Sequence, residues 1–205
     1  MRKRIVNFLD KRKLDIFTAA LKLADKFGLR GITTKNLAEE IGFREGALYK
    51  HIKSKSDIFV MILDISEKLL DEKFKEIKKE NYSPKKSLLE WFYFAIDYLE
   101  DFPGIYRIIF SDELYIDDPI LFEKFKSIIE KLVRIFQEII EKGIKSNEFR
   151  QDIDPKIAAI RYLGIIHTSF TLWSVFEERK KKYGEIALPI LSEYLRTILG
   201  GKEDE

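Results

Sequence analysis

Basic and aromatic residues are concentrated in the stretch IGFREGALYKHIKSKSDIF, at positions 41–59. The side chains that could make contacts there, all within a dozen positions around Gly46, are Arg44, Tyr49, Lys50, His51, Lys53 and Lys55. Cations beside a glycine suit a surface that lies against an anion, because the glycine permits close approach while the longer side chains reach outward. Charge alone leaves a second interpretation open, an ordinary solvated face.

The charge of the chain is distributed unevenly over its 205 residues. Residues 1–55 contain 14 Lys and Arg against 6 Asp and Glu, a net charge of +8, whereas the remaining residues carry a net charge of −6. A basic N-terminal segment on an acidic body indicates a polyanionic partner. Nucleic acid is the first candidate for that partner, and an anionic membrane surface is the second.

Composition excludes several classes of function. Cysteine is absent, so disulfides, zinc–thiolate sites and cysteine catalysis are ruled out. The sequence contains no Gly-rich phosphate loop, nucleophile elbow, catalytic carboxylate pair or metal-ligand spacing, so we predict no enzyme, no metal and no cofactor. No apolar run approaches the roughly 18 residues of a membrane span, and the start lacks signal-peptide features. We therefore expect a cytoplasmic protein without a membrane partner.

Apolar residues recur at helical spacing through the whole chain, and sustained strand-like alternation is not found. The pattern predicts an all-α fold of about nine helices. It comprises an N-terminal helix-turn-helix head of three helices, residues 1–55, and a C-terminal helical bundle, residues 56–205. Proline after a capping residue predicts later helix starts at residues 84, 119 and 155.

Several local features follow from this pattern. Thr33 or Thr34 is expected to cap the short second helix, and Ser54 with Asp57 to begin a long one. A third short helix over 44–51 is expected to bury Ala47 and Leu48. The stripe predicted for the helix that begins at residue 119 consists of Phe122, Phe125, Ile129, Leu132 and Phe136. Residues 112–118 are expected to form an exposed loop and a helix cap. The helix from residue 155 is expected to reach Lys182, with the cations at 179–182 as its solvated end.

Two short helices joined by a tight turn, the second followed by aromatic and basic residues, are typical of a helix-turn-helix. In such a motif Arg44 is placed to bond guanine with two hydrogen bonds, and Lys55 lies where a helix N-terminus favours a phosphate. The stretch GLRGITTKNLAEEIGFREGALYKHIKSKSDIF resembles the N-terminal domain of TetR-type transcriptional regulators. The shared features are the glycine before Thr33 and Thr34, the LAEEIG helix, the G-x-L-Y-x-H pattern and the K-S-K that follows.

The resemblance implies a set of DNA contacts. The residues at the corresponding positions are Thr34, Arg44, Glu45, Gly46, Tyr49, Lys50, His51 and Lys55. Two of them depart from the family pattern, because Arg44 stands where Ser or Thr often caps the helix and Glu45 where Lys or a small residue is common. A carboxylate accepts from cytosine but repels phosphate, so the family's base preference is not transferred to this chain.

The basic residues of the first 13 positions have two interpretations. They form either an arm that supports DNA binding or a solvated terminus. The residues concerned are Arg2, Lys3, Arg4, Lys11, Arg12 and Lys13.

The aromatic-rich second domain suits a bulky, largely apolar effector, although plain core packing is the alternative for each ring. The candidate pocket residues are Trp91, Phe94, Tyr98, Tyr106, Phe110, Phe122, Phe136, His167, Phe170 and Trp173. For His167 a hydrogen-bonded position inside the bundle is favoured over a ligand-sensing one.

The stretch 157–176 is apolar nearly all round, with Arg161 as its one charged residue, and so offers more hydrophobic surface than one domain needs. We therefore expect a homodimer through residues about 156–178 and 185–199, paired as a four-helix bundle. Two functions remain open. One is a repressor released from a pseudo-palindromic operator by a small, largely apolar effector, and the other is a constitutive or architectural DNA-binding protein of the same fold.

Overall fold

The computed structural model describes residues 4–5, 7–48, 52–116, 118–175 and 180–200. That part of the chain contains ten α-helices and no strand, apart from one isolated bridge between Phe149 and Leu199, so the all-α prediction is confirmed. The helices are α1 Lys11–Phe27, α2 Thr34–Ile41, α3 Glu45–Leu48, α4 Lys55–Glu80, α5 Pro84–Asp101, α6 Gly104–Ile109, α7 Asp112–Ile116, α8 Pro119–Lys145, α9 Pro155–Val175 and α10 Tyr183–Ile198. None of the described helices combines the length and apolarity that a membrane crossing requires.

The chain divides into two compact units. Unit 1 comprises residues 1–72 and 98–128, and unit 2 comprises residues 73–97 and 129–205. This is a division by compactness, whereas the predicted boundary after residue 55 is a division by function. The predicted boundary therefore stays a prediction.

The core of unit 1 forms around α1. Phe17, Leu21 and Ala24 are buried as their spacing predicts, and the Phe17 ring meets the edge of Phe102 at a centroid distance of 5.6 Å. Helix α6 packs against α1 at Gly104, where an added Cβ would lie 1.9 Å from the Leu21 carbonyl oxygen. A side chain at position 104 would therefore force the two helices apart.

The core of unit 2 is centred on Tyr162, whose side chain is fully buried. Its hydroxyl donates to the Leu88 carbonyl oxygen at 2.6 Å, and its ring lies 4.6 Å from Phe136, 6.0 Å from Phe92 and 6.2 Å from Tyr194, measured between centroids. Burial raises the pKa of the Tyr162 hydroxyl well above its ordinary value. The tyrosine thus joins α5, α8, α9 and α10 into one core.

The predicted helix starts are confirmed by their capping bonds. Thr33 caps α2, because its hydroxyl accepts the Asn36 N–H at 3.1 Å. The side chains of Asp118 and Asp154 likewise accept backbone N–H groups in the first turns of α8 and α9. These bonds satisfy donors that have no partner inside the helix.

Helix α7, residues 112–116, replaces the loop part of the exposed loop and cap predicted for residues 112–118, while Asp118 forms the predicted cap. Tyr115 explains the difference, since its ring stacks on Phe125 at 4.3 Å and its hydroxyl donates to the Ile108 carbonyl oxygen at 3.0 Å. A buried aromatic side chain at this position draws the acidic segment against unit 1. The charges of the segment had indicated solvent exposure instead. Asp117 lies outside the described residues.

The predicted boundary between the last two helices was also wrong. Helix α9 is described to Val175, and Lys182 is the N-cap of α10 with extended backbone angles, φ −68° and ψ 146°. The Trp173 indole N–H donates to the Lys181 carbonyl oxygen at 2.8 Å, which holds the connection against α9. Lys180, Lys181 and Lys182 thus precede α10 and do not end α9, while Arg179 lies outside the described residues.

The buried stripe of α8 differs from the prediction at most positions. Phe122 is 47% exposed, Phe125, Ile129 and Leu132 are half-buried, and the buried hydrophobic residues of this helix are Leu121, Ile128, Ile135, Phe136 and Ile140. Of the predicted stripe, Phe136 is therefore fully buried and Phe122 is not.

Candidate nucleic-acid interface

Helix α2 begins at the Thr33 cap and ends at Gly42. Leu37 and Ala38 are buried, and the helix packs against α1. Gly42 has left-handed angles, φ 76° and ψ 32°, and the Phe43 N–H donates back to the Ala38 carbonyl oxygen at 2.8 Å. A glycine is favoured in this conformation because a side chain would be strained there. The turn into α3 is fixed by these bonds.

Helix α3 presents one buried and several exposed side chains. Leu48 is fully buried, whereas Arg44, Glu45, Gly46 and Ala47 are exposed. The prediction that Ala47 is buried was wrong, because within this short helix only Leu48 faces the core. A Cβ added at Gly46 would meet no described atom within 4 Å. Space is therefore open outside Gly46, as an external surface that approaches the backbone would require.

Three of the predicted DNA contacts, Tyr49, Lys50 and His51, lie outside the described residues. The chain is described again from Ile52, which is buried and donates its N–H to the Leu48 carbonyl oxygen at 3.1 Å. The roles predicted for the three residues stay predictions.

A hydrogen bond joins the first residue of α2 to the first residue of α3. The Thr34 hydroxyl donates to the Glu45 carboxylate at 2.6 Å. In the sequence, Glu45 is only a departure from the pattern of the family that the chain resembles. The structure shows that the Glu45 side chain links the two helices of the motif. While its proton is donated to Glu45, the Thr34 hydroxyl cannot donate that proton to a phosphate.

The entry to α4 is held by Asp57. Its carboxylate accepts the Lys53 N–H at 2.8 Å and the Ser54 N–H at 3.0 Å, and these bonds to the charged form lower the pKa of Asp57, the Lys53 bond most. The Ser54 hydroxyl accepts the Asp57 N–H at 3.1 Å in return, which completes the predicted capping box.

Lys55, the first residue of α4, folds back onto the head. Its ammonium donates to the Leu29 carbonyl oxygen at 2.9 Å and lies 5.7 Å from the centroid of the Phe59 ring. The side chain is nevertheless exposed. Its partner is neutral, so the positive charge is not compensated by a carboxylate in this contact.

Arg12 holds the turn between α2 and α3 from outside the motif. Its guanidinium carbon lies 4.6 Å from the centroid of the Phe43 ring, a cation–π contact between α1 and the turn. Sequence reasoning missed this role. The signal in the sequence was Phe43, an aromatic residue in a turn where a small polar residue would suffice.

Three of the N-terminal cations belong to a helix. Lys11, Arg12 and Lys13 form the first turn of α1, and the Asp10 side chain caps that turn by accepting the Lys13 N–H at 2.9 Å. The arm interpretation is wrong for these residues, because their backbone is helical. Arg2 and Lys3 lie outside the described residues, and Arg4 is half-buried in a short helical segment.

The candidate effector residues divide between the two units. Tyr98, Tyr106, Phe110 and Phe122 belong to unit 1, and Trp91, Phe94, Phe136, His167, Phe170 and Trp173 belong to unit 2. In unit 2 the Trp91 ring contacts Phe94 and Phe136 edge-on, and Phe170 contacts Trp173.

His167 is exposed on α9, so the interpretation of it as a residue inside the bundle was wrong for the single chain. Helix α9 is apolar nearly all round, and its composition does not distinguish the face that packs on unit 2 from the face that is left open.

The head therefore defines a helix-turn-helix DNA-binding protein. Its two short helices are joined at a left-handed glycine. An exposed arginine precedes the second helix, which presents an open glycine above a buried leucine. The sequence signature described as "Bacterial regulatory proteins, tetR family" matches residues 16–62, which span α1 to the start of α4. Residues 16–62 therefore carry the sequence signature of the TetR family of transcriptional regulators.

Individual proteins are similar to the chain in sequence or in fold. The chain is 26% identical over 157 residues to the nucleoid occlusion factor SlmA of Marinobacter nauticus, covering 77% of this chain and 78% of that protein. Its fold is similar to that of the regulator FadR from Bacillus subtilis in complex with stearoyl-CoA, with a TM-score of 0.72, 21% identity, and coverage of 90% and 98% of the two chains. It is also similar to the ketosteroid regulator KstR2 of Mycobacterium tuberculosis, with a TM-score of 0.75, 18% identity, and coverage of 94% and 97%. These two likenesses show the shared fold.

Proposed function

We propose that the protein is a homodimeric transcriptional repressor that a small, largely apolar effector releases from a pseudo-palindromic operator. The observation that carries the proposal is the exposed surface formed by Gly46 on α3 and by Arg44 just before it, while Leu48 of the same helix is buried. Dimerisation is proposed through residues about 156–178 and 185–199. Two heads would then reach successive major grooves roughly 34–36 Å apart.

In the proposed complex α3 enters the major groove. Arg44 reads a base pair, and the backbone at Gly46 approaches the DNA closely. Phosphates are bound by Thr34, Tyr49, Lys50, His51 and Lys55, as the family resemblance implies. Thr34 must exchange Glu45 for the phosphate, and Lys55 must exchange the Leu29 carbonyl oxygen. Both partners are exposed, so water can replace them during the exchange.

Exposed apolar side chains on α9 support the proposed dimer interface. Ile157 is 59% exposed, Ile160 51% and Leu172 39%, and Ile190 on α10 is 36% exposed. At Gly164, between these positions of α9, an added Cβ would meet no described atom within 4 Å. The stripe can thus receive a partner helix at close range, and pairing would remove its apolar surface from water.

The effector is proposed as an agent that shifts an equilibrium. It must bind the conformation that does not fit the operator more tightly than the one that does, since equal affinity for both would shift nothing. The compared FadR structure contains stearoyl-CoA, so the fold accommodates a ligand with a large apolar part in that protein, and KstR2 is named as a ketosteroid regulator.

The dimer is tested by Ile160→Asp, which places a charge in the proposed interface. We expect light scattering at micromolar concentration to show a dimer for the wild type and a monomer for the variant. Ile120→Asp is the matched control, because Ile120 is 65% exposed and belongs to unit 1. A wild-type monomer, or a dimer that Ile160→Asp leaves intact, would contradict the proposed interface.

DNA recognition is tested by selecting genomic fragments that bind the protein at two salt concentrations and sequencing them. One enriched palindromic site whose binding is lost at high salt is the expected result, because phosphate contacts release counterions. Uniform, salt-sensitive binding with no shared site would contradict the repressor proposal.

A second candidate is a DNA-binding protein of the same fold that has no effector. It is favoured by the curated relative, which is named as a nucleoid occlusion factor and not as a ligand-responsive regulator. The two candidates differ in one measurement. If no compound that binds the protein alters its affinity for the selected DNA, the second candidate gains and the effector part of the proposal fails.

A further inference from the structure

Unit 2 contains a cavity of about 320 Å³ that the sequence did not reveal as a site. It lies between the last turns of α4, the first turns of α5 and the C-terminal half of α8. Phe74, Ile77, Trp91 and Ile139 supply its apolar wall, and Lys78 and Lys142 are its basic residues. Small-molecule sites range over about 300–1,000 Å³, so this volume suits a small ligand and not a coenzyme thioester.

One polar atom beside this cavity lacks a partner. The indole N–H of Trp91 is buried and has no hydrogen-bond acceptor within the described part of the chain, and the whole residue is 2% exposed. Its ring meets Phe94 and Phe136 edge-on, and neither of these side chains carries an oxygen. Buried donors are satisfied in the large majority of native structures, so an acceptor is expected from outside the chain.

Trp173 provides the internal comparison. The chain has two tryptophans, both buried, and the Trp173 indole N–H donates to the Lys181 carbonyl oxygen at 2.8 Å. An indole in unit 2 is therefore satisfied where the backbone offers an acceptor. Trp91 instead stands beside a cavity.

The charged residues of the cavity favour a negative ligand. Lys78 and Lys142 outnumber the one acidic residue in the wall, Glu138, and within the described residues neither lysine forms an ion pair. The Lys78 ammonium lies 4.3 Å from the centroid of the Phe74 ring, and the Lys142 ammonium donates to the Asn81 side chain at 3.4 Å. Both lysines are thus positioned by neutral partners, and both can still bind a carboxylate.

We propose that this cavity binds a small amphipathic carboxylic acid that carries a second oxygen acceptor. The indole nitrogen is closed to a water-sized probe in the free protein, so binding includes a turn of the Trp91 ring that opens its N–H to the acceptor. The apolar chain lies along Phe74 and Ile139, and the carboxylate stays beside Lys78 and Lys142. The binding itself does not depend on DNA. Its meaning as the effector site rests on the proposed function and deepens it by naming the class of compound.

The site is tested on the full chain with an oxo-octanoate whose ketone lies next to the terminal methyl group. In a proton–nitrogen correlation spectrum the two indole signals are assigned with Trp91→Phe and Trp173→Phe. We expect the Trp91 indole proton to move downfield as the ketone accepts its hydrogen bond, while the Trp173 signal stays in place. This readout uses the native protein, so a folding defect in either variant does not decide it.

Two further ligands separate the parts of the proposal. Octanoate lacks the ketone and is expected to bind about 2- to 12-fold more weakly, the range of one net hydrogen bond, without moving the Trp91 indole proton downfield. Hexyl methyl ketone lacks the charge, so Lys142→Met should leave its affinity unchanged while weakening the oxo-octanoate. Equal binding of the oxo acid and octanoate, with no response from Trp91, would overturn the acceptor assignment and favour an N–H directed at an aromatic face.

The outcome for the site and the outcome for the repressor are distinguishable. If millimolar oxo-octanoate leaves the Trp91 signal in place while the protein still binds its selected DNA, this inference fails and DNA recognition stands. If the ligand binds as expected but operator affinity does not change, the site stands and its role as the effector site is overturned.

Discussion

The polar groups of the head are exposed and hydrogen-bonded, whereas the indole N–H of Trp91 in unit 2 is buried and has no partner within the described residues. In the head, Thr34 donates to Glu45 and Lys55 donates to the Leu29 carbonyl oxygen, yet all these groups stand at or near the surface. In unit 2 the Trp91 indole N–H is buried and lacks a partner within the described residues. An exposed donor can exchange one partner for another through water, whereas a buried donor gains a bond that water did not supply.

This difference predicts different binding behaviour at the two places. Binding at the head is an exchange of partners, so its strength depends on charge and on salt. Binding in the cavity is the gain of a partner, so its strength depends on whether the ligand carries an acceptor. Substitutions in the head test the first half of the contrast, and the ligand series proposed for the cavity tests the second.

The largest expected effect comes from Leu48, the buried side chain that holds the exposed surface of α3 in place. Leu48→Ala should lower the free energy of unfolding by about 2–5 kcal/mol, because it leaves a cavity where a fully buried side chain stood. DNA affinity should fall with it, since α3 loses its anchor. Urea denaturation followed by circular dichroism measures the change.

The neighbour of Leu48 supplies the control. Ala47 is exposed, so Ala47→Ser should change the free energy of unfolding by no more than about 0.5 kcal/mol. Similar losses in the two variants would show that Leu48 does not anchor the helix.

The next effect concerns Arg44, where two substitutions separate the recognition of a base pair from the contribution of positive charge. Arg44→Ala should reduce discrimination at particular base pairs by about 1–3 kcal/mol, and Arg44→Lys should also lose discrimination because it keeps the charge but not the two-pronged geometry. Fluorescence anisotropy on the selected operator and its single-base variants measures both. An equal loss on every sequence would assign Arg44 to the phosphates.

Much of the fold could be predicted from sequence, because the local signals are strong. Caps such as Thr33 and the reciprocal pair of Ser54 and Asp57 act over three residues, which a sequence shows directly. Contacts between side chains farther apart in the sequence could not be predicted. Tyr115 draws α7 against unit 1 through contacts with Ile108 and Phe125.

The candidate sites show the same limit. Spacing placed Arg44 and Gly46 on the exposed side of a short helix, but it could not show that Glu45 accepts the Thr34 proton across the turn. Composition made Trp91 one of ten candidate pocket residues. Its importance follows from an unsatisfied atom and an adjacent cavity, neither of which is encoded in local spacing.

A smaller effect tests the exchange at Lys55. Lys55→Ala should weaken binding to all DNA sequences alike and reduce the slope of log affinity against log salt by about 0.9, the value for one phosphate contact. The free protein should lose little stability, because the bond to Leu29 is exposed. Lys75→Ala, at an exposed lysine farther along α4, is the control. An unchanged slope after Lys55→Ala would remove the residue from the interface.

The smallest expected effect concerns Glu45, whose negative charge repels the phosphate that would replace it as the partner of Thr34. Glu45→Gln keeps an acceptor for Thr34 and removes a negative charge, so affinity should rise about 1.5- to 5-fold, the range of an exposed charge contact. Glu45→Ala also frees the Thr34 hydroxyl and should raise affinity further. In a Thr34→Val background the difference between these two variants should disappear, because no hydroxyl remains to be released. A loss of affinity in Glu45→Gln, confined to operators with cytosine at one position, would instead show that the carboxylate reads that base.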